Sequence, residues 1–180
     1  MTLTYFTPLS KWGNIIDGEI NPSLTDLKHL SHLDLRFNNF EGIPIPKFTG
    51  SLHMLHYLDL SNANFSGMIH DEIGNLSNLH YPDISGVLTS LWVRDVSWLS
   101  ALSSLQYLDI GSVNITSTSH ELFLAQPKSA VFRFEIKSIG PTFPSWLRNQ
   151  TLLGVVMLEN AGISGEMPSG LYNLFFLTTK

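Results

Sequence analysis

The sequence predicts a right-handed solenoid of short repeats, with one parallel β-sheet on its concave side and turns or short 3-10 helices on its convex side. Two observations support this prediction: leucines recur in a fixed template, and the template returns at a nearly constant step along the 180-residue chain. Each L-x-L unit is read as a strand whose leucines point inward while the intervening residues face solvent. One strand per repeat gives one parallel sheet, because no single repeat can bury its apolar face alone.

The template is complete in residues 27–42, which spell L-x-x-L-x-x-L-x-L-x-x-N-x-F-x-G. It returns four times more, and once in a degenerate form around residue 132. The equivalent positions are Leu33, Leu58, Pro82, Leu108, Phe132 and Val156, and the steps between them are 25, 24, 26, 24 and 24 residues. We therefore expect a strand at each of these positions and its two following residues.

Amphipathic helices are the alternative, since leucines at i, i+3 and i+6 loosely resemble a helical stripe. The Gly and Pro residues between the leucine blocks would break such helices. We assign the repeats, six to seven in number, to residues 16–177. Irregular structure is expected at 1–15, 85–101 and 116–131.

Several stretches carry a resemblance to a known family. LDLRFNNFEG (33–42), LDLSNANFSG (58–67) and NAGISGEMPSGLYNL (160–174) resemble the plant-specific leucine-rich repeat. GEINPSLTDLKHLSHLDL and GPTFPSWLRNQ are similar, more narrowly, to ectodomains of plant leucine-rich-repeat receptor-like proteins. The resemblance implies secretion to the extracellular side of the plasma membrane, N-glycosylation, binding of a peptide or protein elicitor, and signalling through a co-receptor kinase. It implies neither enzymatic activity nor a cofactor.

Three functions stay open from the sequence. The first is a recognition segment of an immune receptor-like protein, and the second is a free-standing secreted repeat protein that inhibits a cell-wall-degrading enzyme. The third is a non-functional truncated product. We expect no signal peptide and no transmembrane helix in the chain, and we expect its uncapped ends to favour self-association.

The residues expected to face solvent on the concave side are the candidate ligand-binding positions. They form a file of tyrosines beside a file of aspartates, about 4.8 Å from strand to strand. Such a surface suits a basic or polar peptide, and the alternative is that L-D-L is only the spelling of the repeat, with a solvated aspartate. The positions are His32, Asp34, Arg36, Tyr57, Asp59, Tyr81, Asp83, Tyr107, Asp109, Arg133 and Met157.

Four N-x-S/T sequons predict glycosylation in turns that solvent can reach. Asn64 and Asn114 occupy one column of the repeat, and Asn75 and Asn149 occupy another.

The turn position held by Asn38 should carry a ladder of side-chain amides that bond the turn backbone. Only Asn38 supplies one, and its equivalents are Ala63, Val87, Val113, Lys137 and Ala161. Pro82 cannot donate to the sheet, so the third repeat should be weak, as should the fifth, whose equivalent is Lys137.

The tryptophans and histidines indicate structural roles and no binding site. Trp98 and Trp146 should pack on the convex side, while Trp12 and Trp92 have no assigned place. The pairs His29/His32 and His53/His56 occupy different columns, which argues against a metal site.

The composition also excludes classes of function. The ten Lys and Arg residues are spread thinly and the net charge is -5, so nucleic acid is not an expected partner. No catalytic motif is present, and adjacent acids such as Asp71 and Glu72 are read as a solvated turn. Alternation within the strand also predicts that Leu58→Ala costs about 2 to 5 kcal/mol and that Asp59→Ala costs little.

Overall fold

The computed structural model describes residues 1–4, 19–86, 90–94, 96–115, 130–134, 153–158 and 177–178. Within these residues, eight short strands form one sheet, the main sheet, and all neighbouring strands in it are parallel. Its strands in spatial order are β1 (Thr2–Thr4), β2 (His32–Asp34), β3 (Tyr57–Asp59), β5 (Tyr81–Asp83), β7 (Tyr107–Asp109), β9 (Ala130–Phe134), β10 (Leu153–Leu158) and β11 (Leu177–Thr178).

The register confirms the predicted repeat frame. Leu58 lies opposite both Leu33 and Pro82, and Phe132 lies opposite both Leu108 and Val156. The two halves are joined by the pair Asp83 and Asp109, one residue after Pro82 and Leu108. All six predicted strands therefore belong to one parallel sheet, as the template requires.

A second sheet was not predicted from the sequence. Its strands are β4 (Ser66–Met68), β6 (Ser90–Val93) and β8 (Asn114–Ile115), which pair in parallel in that order. Four 3-10 helices are also described: η1 (Pro22–Asp26), η2 (Lys47–Ser51), η3 (Asp71–Asn75) and η4 (Ser97–Ala101). In the described repeats, each turn of chain passes from the main sheet through the second sheet or a turn to a 3-10 helix.

Two segments expected to be irregular contain regular structure. β1 comes from the segment 1–15 and pairs with β2, with Leu3 opposite Leu33. β6 and η4 come from the segment 85–101, and they repeat the order of β4 and η3 one repeat earlier. Residues 116–129 lie outside the described structure.

The core lies between the two sheets and the 3-10 helices, and it is built from columns of equivalent side chains. The strand leucines Leu33, Leu58 and Leu108 are each at most 1% exposed. Phe40 and Phe65, at equivalent turn positions, stack with ring centroids 4.5 Å apart. Burying one such leucine is worth roughly 1.5 to 3 kcal/mol, and each column is completed only by the neighbouring repeats.

Two of the three glycines predicted to form turns lie in the described residues, and both have the expected conformation. Gly42 and Gly67 adopt positive φ angles of 77° and 85°, which a residue with a Cβ rarely adopts. The chain then returns to the core at Ile69, which is 1% exposed. The other expected turn positions, Gly165, Phe143 and Met167, lie outside the described residues.

Asn38 makes the expected turn contact, because its buried amide donates to the carbonyl of Leu35 at 2.9 Å. Its described equivalents Ala63 and Val113 are buried apolar residues and cannot do so. There the backbone forms other bonds: the carbonyl of Ala63 accepts from Phe40, and the amide of Val113 donates to the carbonyl of Ile110. Val87, Lys137 and Ala161 lie outside the described residues.

Pro82 weakens the sheet on one side, as predicted. Along each strand, every second backbone amide points to the same neighbouring strand. The amide of Ile84, two residues after Pro82, donates to the carbonyl of Asp109, as the equivalent Leu60 does to Asp83 one repeat earlier. A residue with an N–H at position 82 would therefore donate toward β7. Pro82 has no N–H, and β5 pairs with β7 at one position, Asp83 opposite Asp109, against three positions for β5 with β3. The third repeat is thus joined less tightly to the fourth than to the second.

Candidate functional site

The concave side of the main sheet, which we call its outer face, faces away from the core between the two sheets. It brings the predicted ligand-binding positions into two adjacent columns. The aromatic column contains His32, Tyr57, Tyr81 and Tyr107, and the aspartate column contains Asp34, Asp59, Asp83 and Asp109. Register extends the aspartate column through Arg133 and Met157 on β9 and β10. The sequence therefore predicted correctly which residues lie side by side.

The aspartates do not face solvent as expected. Asp34 and Asp59 are each 3% exposed and Asp109 is 2% exposed, whereas Asp83 is half-buried. An ionised side chain can be buried at this depth only if it is well hydrogen-bonded or paired. The expectation of a solvated aspartate is therefore wrong for three of these four residues.

The cause is a local hydrogen bond from the residue two positions later. Oδ1 of Asp59 accepts from the amide of Ser61 at 3.0 Å and from its hydroxyl at 2.6 Å. Asp83 forms the same two bonds with Ser85, at 3.0 and 2.6 Å. Each carboxylate thus closes the turn that follows its strand, in the manner of an Asx-turn.

The other two aspartates follow the same rule. Oδ1 of Asp109 accepts from the amide of Gly111 at 2.8 Å, and Oδ1 of Asp34 accepts from the amide of Arg36 at 3.2 Å. The sequence carries D-x-S at Asp59 and Asp83 and D-x-G at Asp109, whereas Asp34 is followed by Leu35 and Arg36. The aspartate of the repeat therefore stabilises the turn that follows its own strand.

The second oxygen of each carboxylate distinguishes the four aspartates. Oδ2 of Asp59 accepts from the hydroxyl of Tyr57 at 3.1 Å, and Oδ2 of Asp109 accepts from that of Tyr107 at 3.2 Å. Arg36 lies 3.3 Å from Oδ2 of Asp34 and 3.5 Å from Oδ2 of Asp59. Asp34 and Asp59 therefore share the single positive charge of Arg36.

Asp83 is different. In the described part of the chain its Oδ2 accepts no hydrogen bond, and the hydroxyl of Tyr81 donates instead to Oε1 of Gln106 at 2.6 Å. The pKa of Asp83 is raised to about 6, with burial as the largest cause. The bonds from Ser85 lower this pKa, and the charges of Asp109 and Asp59 make smaller contributions that raise it. Asp83 is thus the aspartate in this column with an open oxygen and an unfavourable charge.

Tyr57 is held as a neutral phenol. Burial is the largest cause that raises its pKa to about 12, followed by the charge of Asp59 and the hydrogen bond to it. Its ring stacks on His32 with centroids 4.1 Å apart and planes 5° apart. This end of the aromatic column is therefore a preformed flat surface.

A third column, which the sequence reading missed, lies just before the aromatic one. His56 and His80 stack with centroids 5.3 Å apart, and the ring of His80 lies 6.3 Å from that of Tyr81. The sequence gives no signal for this column, because histidine occupies the position before the strand only at His56 and His80, whereas Ser31 and Gln106 occupy it in the repeats on either side. Among the described residues, no group of three or more His, Asp or Glu side chains could hold a metal ion.

The sequons differ in their surroundings. Asn64 is half-buried with a φ of 55°, and its Nδ2 donates to Oδ1 of Asn39 at 2.7 Å. Asn75 ends η3 and Asn114 begins β8, and both are exposed. Asn149 lies outside the described residues.

The tryptophan assignments are also resolved in part. Trp98 lies in η4 and is 5% exposed, so its predicted packing in the convex part of the repeat is confirmed. Trp92 lies in β6 between Met68 and Asn114 and is 37% exposed. Trp12 and Trp146 lie outside the described residues. In the described structure no helix is long and apolar enough to cross a membrane.

Known proteins share both the sequence pattern and the fold. The sequence model of the Leucine Rich Repeat family matches residues 29–51 and 54–76. The chain is 44% identical over 99 residues to Receptor-like protein EIX1 of Solanum lycopersicum, a match that covers 55% of this chain and 9% of that protein. It is 43% identical over 154 residues to Cuscuta receptor 1 of Solanum lycopersicum, with 84% and 14% covered. The chain thus spans less than a fifth of either relative.

A solved structure shares the fold. The Arabidopsis receptor kinase HAESA, in complex with the peptide hormone IDA and the co-receptor SERK1, matches with a TM-score of 0.67 and 24% identity, over 91% of this chain and 27% of that one. The two sequence relatives are both named as receptors or receptor-like proteins, and neither name denotes an enzyme. The repeats, the relatives and the fold agree that this chain consists of leucine-rich repeats of the plant receptor-like protein kind.

Proposed function

We propose that the outer face of the main sheet binds an extended peptide, free or part of a protein elicitor, and that Tyr81 and Asp83 are the centre of the contact. The observation that carries the proposal is the open oxygen of Asp83 beside an exposed tyrosine. Neighbouring aspartates are already satisfied by Arg36, Tyr57 and Tyr107. A ligand therefore gains most where the chain leaves a group unsatisfied.

The aromatic side chains support this location. Tyr81 is 43% exposed, the largest exposure that a tyrosine has in the described structure. Aromatic rings are enriched in protein interfaces, because they bury a large area at a small cost in conformational entropy. The stacked His56 and His80 lie beside Tyr81 and extend the aromatic surface next to it.

The charge pattern supports a basic group in the ligand. Arg36 lies at one end of the aspartate column, and Arg133 lies opposite Asp109 in the register toward the other end. Asp83 lies between these two basic positions, and its raised pKa reports an unfavourable charge. A lysine, arginine or free amine of the ligand would supply the missing partner and restore the usual ionisation of the carboxyl group.

The relatives support a proposal for the biological setting. We place the chain on the extracellular side of the plasma membrane, in an immune receptor-like protein that signals through a co-receptor kinase. Two named receptors of Solanum lycopersicum are similar to it in sequence, at 44% and 43% identity over the matched residues. The receptor HAESA, which shares its fold, is in complex with a peptide hormone and the co-receptor SERK1.

The test uses a displayed library of random 12-residue peptides, panned against the immobilised full chain. Enriched peptides are synthesised, and their affinities for the wild type, Tyr81→Ala and Asp83→Asn are measured by surface plasmon resonance. Arg94→Ala is the control, because Arg94 is exposed and follows β6 of the second sheet.

We expect enriched peptides to carry Lys or Arg and to lose at least about tenfold in affinity for each of the two test variants, which corresponds to about 1.4 kcal/mol. Arg94→Ala should bind as the wild type does. The proposal fails if enriched peptides ignore both substitutions, or if panning enriches none.

A further inference from the structure

A second concavity lies away from the main sheet, among η2, η3 and the ends of β4 and β6. It has a volume of about 380 Å³, within the roughly 300 to 1,000 Å³ typical of small-molecule sites. No main-sheet residue lines it. Its wall includes Lys47, Met68, Asp71, Glu72, Asn75 and Arg94.

The charges of the described wall residues balance. Two basic side chains, Lys47 and Arg94, face two acidic ones, Asp71 and Glu72, and Lys47 lies 3.8 Å from Glu72. Neither a cation nor an anion gains a net attraction from such a set. The wall instead offers many donors and acceptors, together with the thioether of Met68 and the imidazole of His70. That combination suits an uncharged ligand rich in hydroxyl and amide groups, such as a sugar.

One wall residue is itself an attachment point for a sugar. Asn75 is exposed and begins the sequon Asn75-Leu76-Ser77, and its side chain forms no hydrogen bond within the described structure. Asn64, by contrast, has its Nδ2 engaged with Asn39 at 2.7 Å. A sugar linked to Asn75 would begin inside the cavity.

We propose that Asn75 carries an N-linked glycan whose first N-acetylglucosamine occupies this cavity. Its Nδ2 forms a bond to C1 of the sugar of a lipid-pyrophosphate-linked oligosaccharide. The C1–O bond to the pyrophosphate breaks, the lipid pyrophosphate leaves with the bonding electrons, and the amide gives up one proton. The inference rests on the proposed function only for passage through the secretory pathway, where such donors are found.

A sugar bound in this cavity would affect the neighbouring surface. Trp92 is exposed and lies opposite Met68 in the second sheet, so further sugar units leaving the cavity past Met68 would pass over its ring. The glycan would then cover the second sheet and the 3-10 helices while leaving the aromatic and aspartate columns open.

The experiment uses the full chain, secreted from plant cells behind an added leader peptide. Peptide mapping by mass spectrometry reports which sequons are occupied, and Asn75→Gln identifies the Asn75 glycan. A peptide-N-glycosidase then releases glycans from the native protein, and the rates at Asn75 and Asn114 are compared within the same molecule. We expect Asn75 to be occupied and its glycan to be released at least about tenfold more slowly.

The double variant Lys47→Ala/Arg94→Ala removes two polar contacts from exposed side chains and should bring the Asn75 rate close to that of Asn114. His53→Ala, exposed and outside the cavity, should leave the tenfold difference intact. An unoccupied Asn75, or release at equal rates in the wild type, overturns the proposal. Because the leader is supplied, such a failure is independent of the peptide-binding measurement, which alone decides the proposed function.

Discussion

Replacing Asp59 by alanine should destabilise the chain substantially, although alternation along the strand alone predicts a small effect. Asp59 is 3% exposed, and it accepts two bonds from Ser61 and one from Tyr57. Alanine leaves the amide of Ser61, itself 6% exposed, without its acceptor. An unpaired buried donor costs about 1 to 3 kcal/mol, and the hydroxyl groups of Ser61 and Tyr57 lose a charged acceptor in addition.

We expect a total loss of about 3 kcal/mol for Asp59→Ala. The contact with Arg36 adds little, because that side chain is 40% exposed and keeps Asp34 as a partner. Asp59→Asn is the matched control: its Oδ1 can still accept from Ser61, and its amide can donate to the oxygen of Tyr57. Asparagine should therefore cost about 1 kcal/mol or less.

The assay is urea denaturation followed by tryptophan fluorescence, with the free energy of unfolding compared at a common m-value. An alanine variant within about 0.5 kcal/mol of the wild type would refute the reasoning, because it would mean that the turn bonds are replaced by water at no cost. Equal losses for alanine and asparagine would show that the charge of Asp59, and not its hydrogen bonds, stabilises the turn.

Three further predictions concern single positions. The pKa of Asp83 in the folded state is raised to about 6 from the usual 3.8, so this group favours folding below about pH 4 and loses that contribution as the pH rises through 6. Asp83→Asn should therefore be more stable than the wild type by about 1 kcal/mol at pH 7.5, after allowance for partial exposure. In denaturation curves this gain in stability should vanish near pH 4. Gly50→Ala should cost about 1 to 3 kcal/mol by urea denaturation, because a Cβ there would overlap the backbone carbonyl of Glu72, while Gly74→Ala, whose nearest contact is 3.0 Å, should cost less. Trp98→Phe should keep a free energy of unfolding within about 1 kcal/mol of the wild type, because Nε1 of Trp98 is buried without a hydrogen-bond partner in the described structure. Trp98→Ala, which also removes the ring, should lose about 3 to 5 kcal/mol. A large loss of stability for the phenylalanine variant in thermal unfolding would contradict this.

The main sheet was predictable because its signal is redundant. Leu33, Leu58 and Leu108 fix the frame, and even Pro82 is placed correctly by its neighbours, so a single unfavourable residue does not hide the period. Parallel pairing with one strand per repeat then follows from geometry.

The second sheet was not predictable from the same alternation. In β6, Leu91 and Val93 are buried and Ser90 and Trp92 are exposed, but tryptophan is apolar, so the pattern S-L-W-V does not read as alternating. In β4, the sequence Ser66–Met68 contains a glycine and makes no clear pattern at all. Such strands form because stacked repeats bring their backbones together, which is a property of the assembly and not of the local sequence.

The aspartates show where the reading of a face from the sequence stops. A two-residue period gives the side of the sheet on which Asp59 lies, but it cannot tell whether the carboxylate is used by a ligand or by its own turn. That depends on the residue two positions later, which is Ser61 or Ser85 in two repeats and Gly111 in another. The same local bond engages only one carboxylate oxygen, so the second oxygen needs another partner, which is the tyrosine of the same strand at Asp59 and Asp109.

The partner of that second oxygen then determines where the outer face can recognise a ligand. Tyr57 and Tyr107 donate to the aspartates of their own strands, whereas Tyr81 is drawn away by Gln106 from the next repeat. One change in hydrogen-bond partner thus exposes a phenol and leaves Asp83 open at the same point of an otherwise self-satisfied surface. Gln106→Ala tests this coupling directly: if Tyr81 is released to bond Asp83, the pKa of Asp83 measured by NMR titration should fall from about 6 toward its ordinary value, and an unchanged pKa would mean that Gln106 does not control the open site.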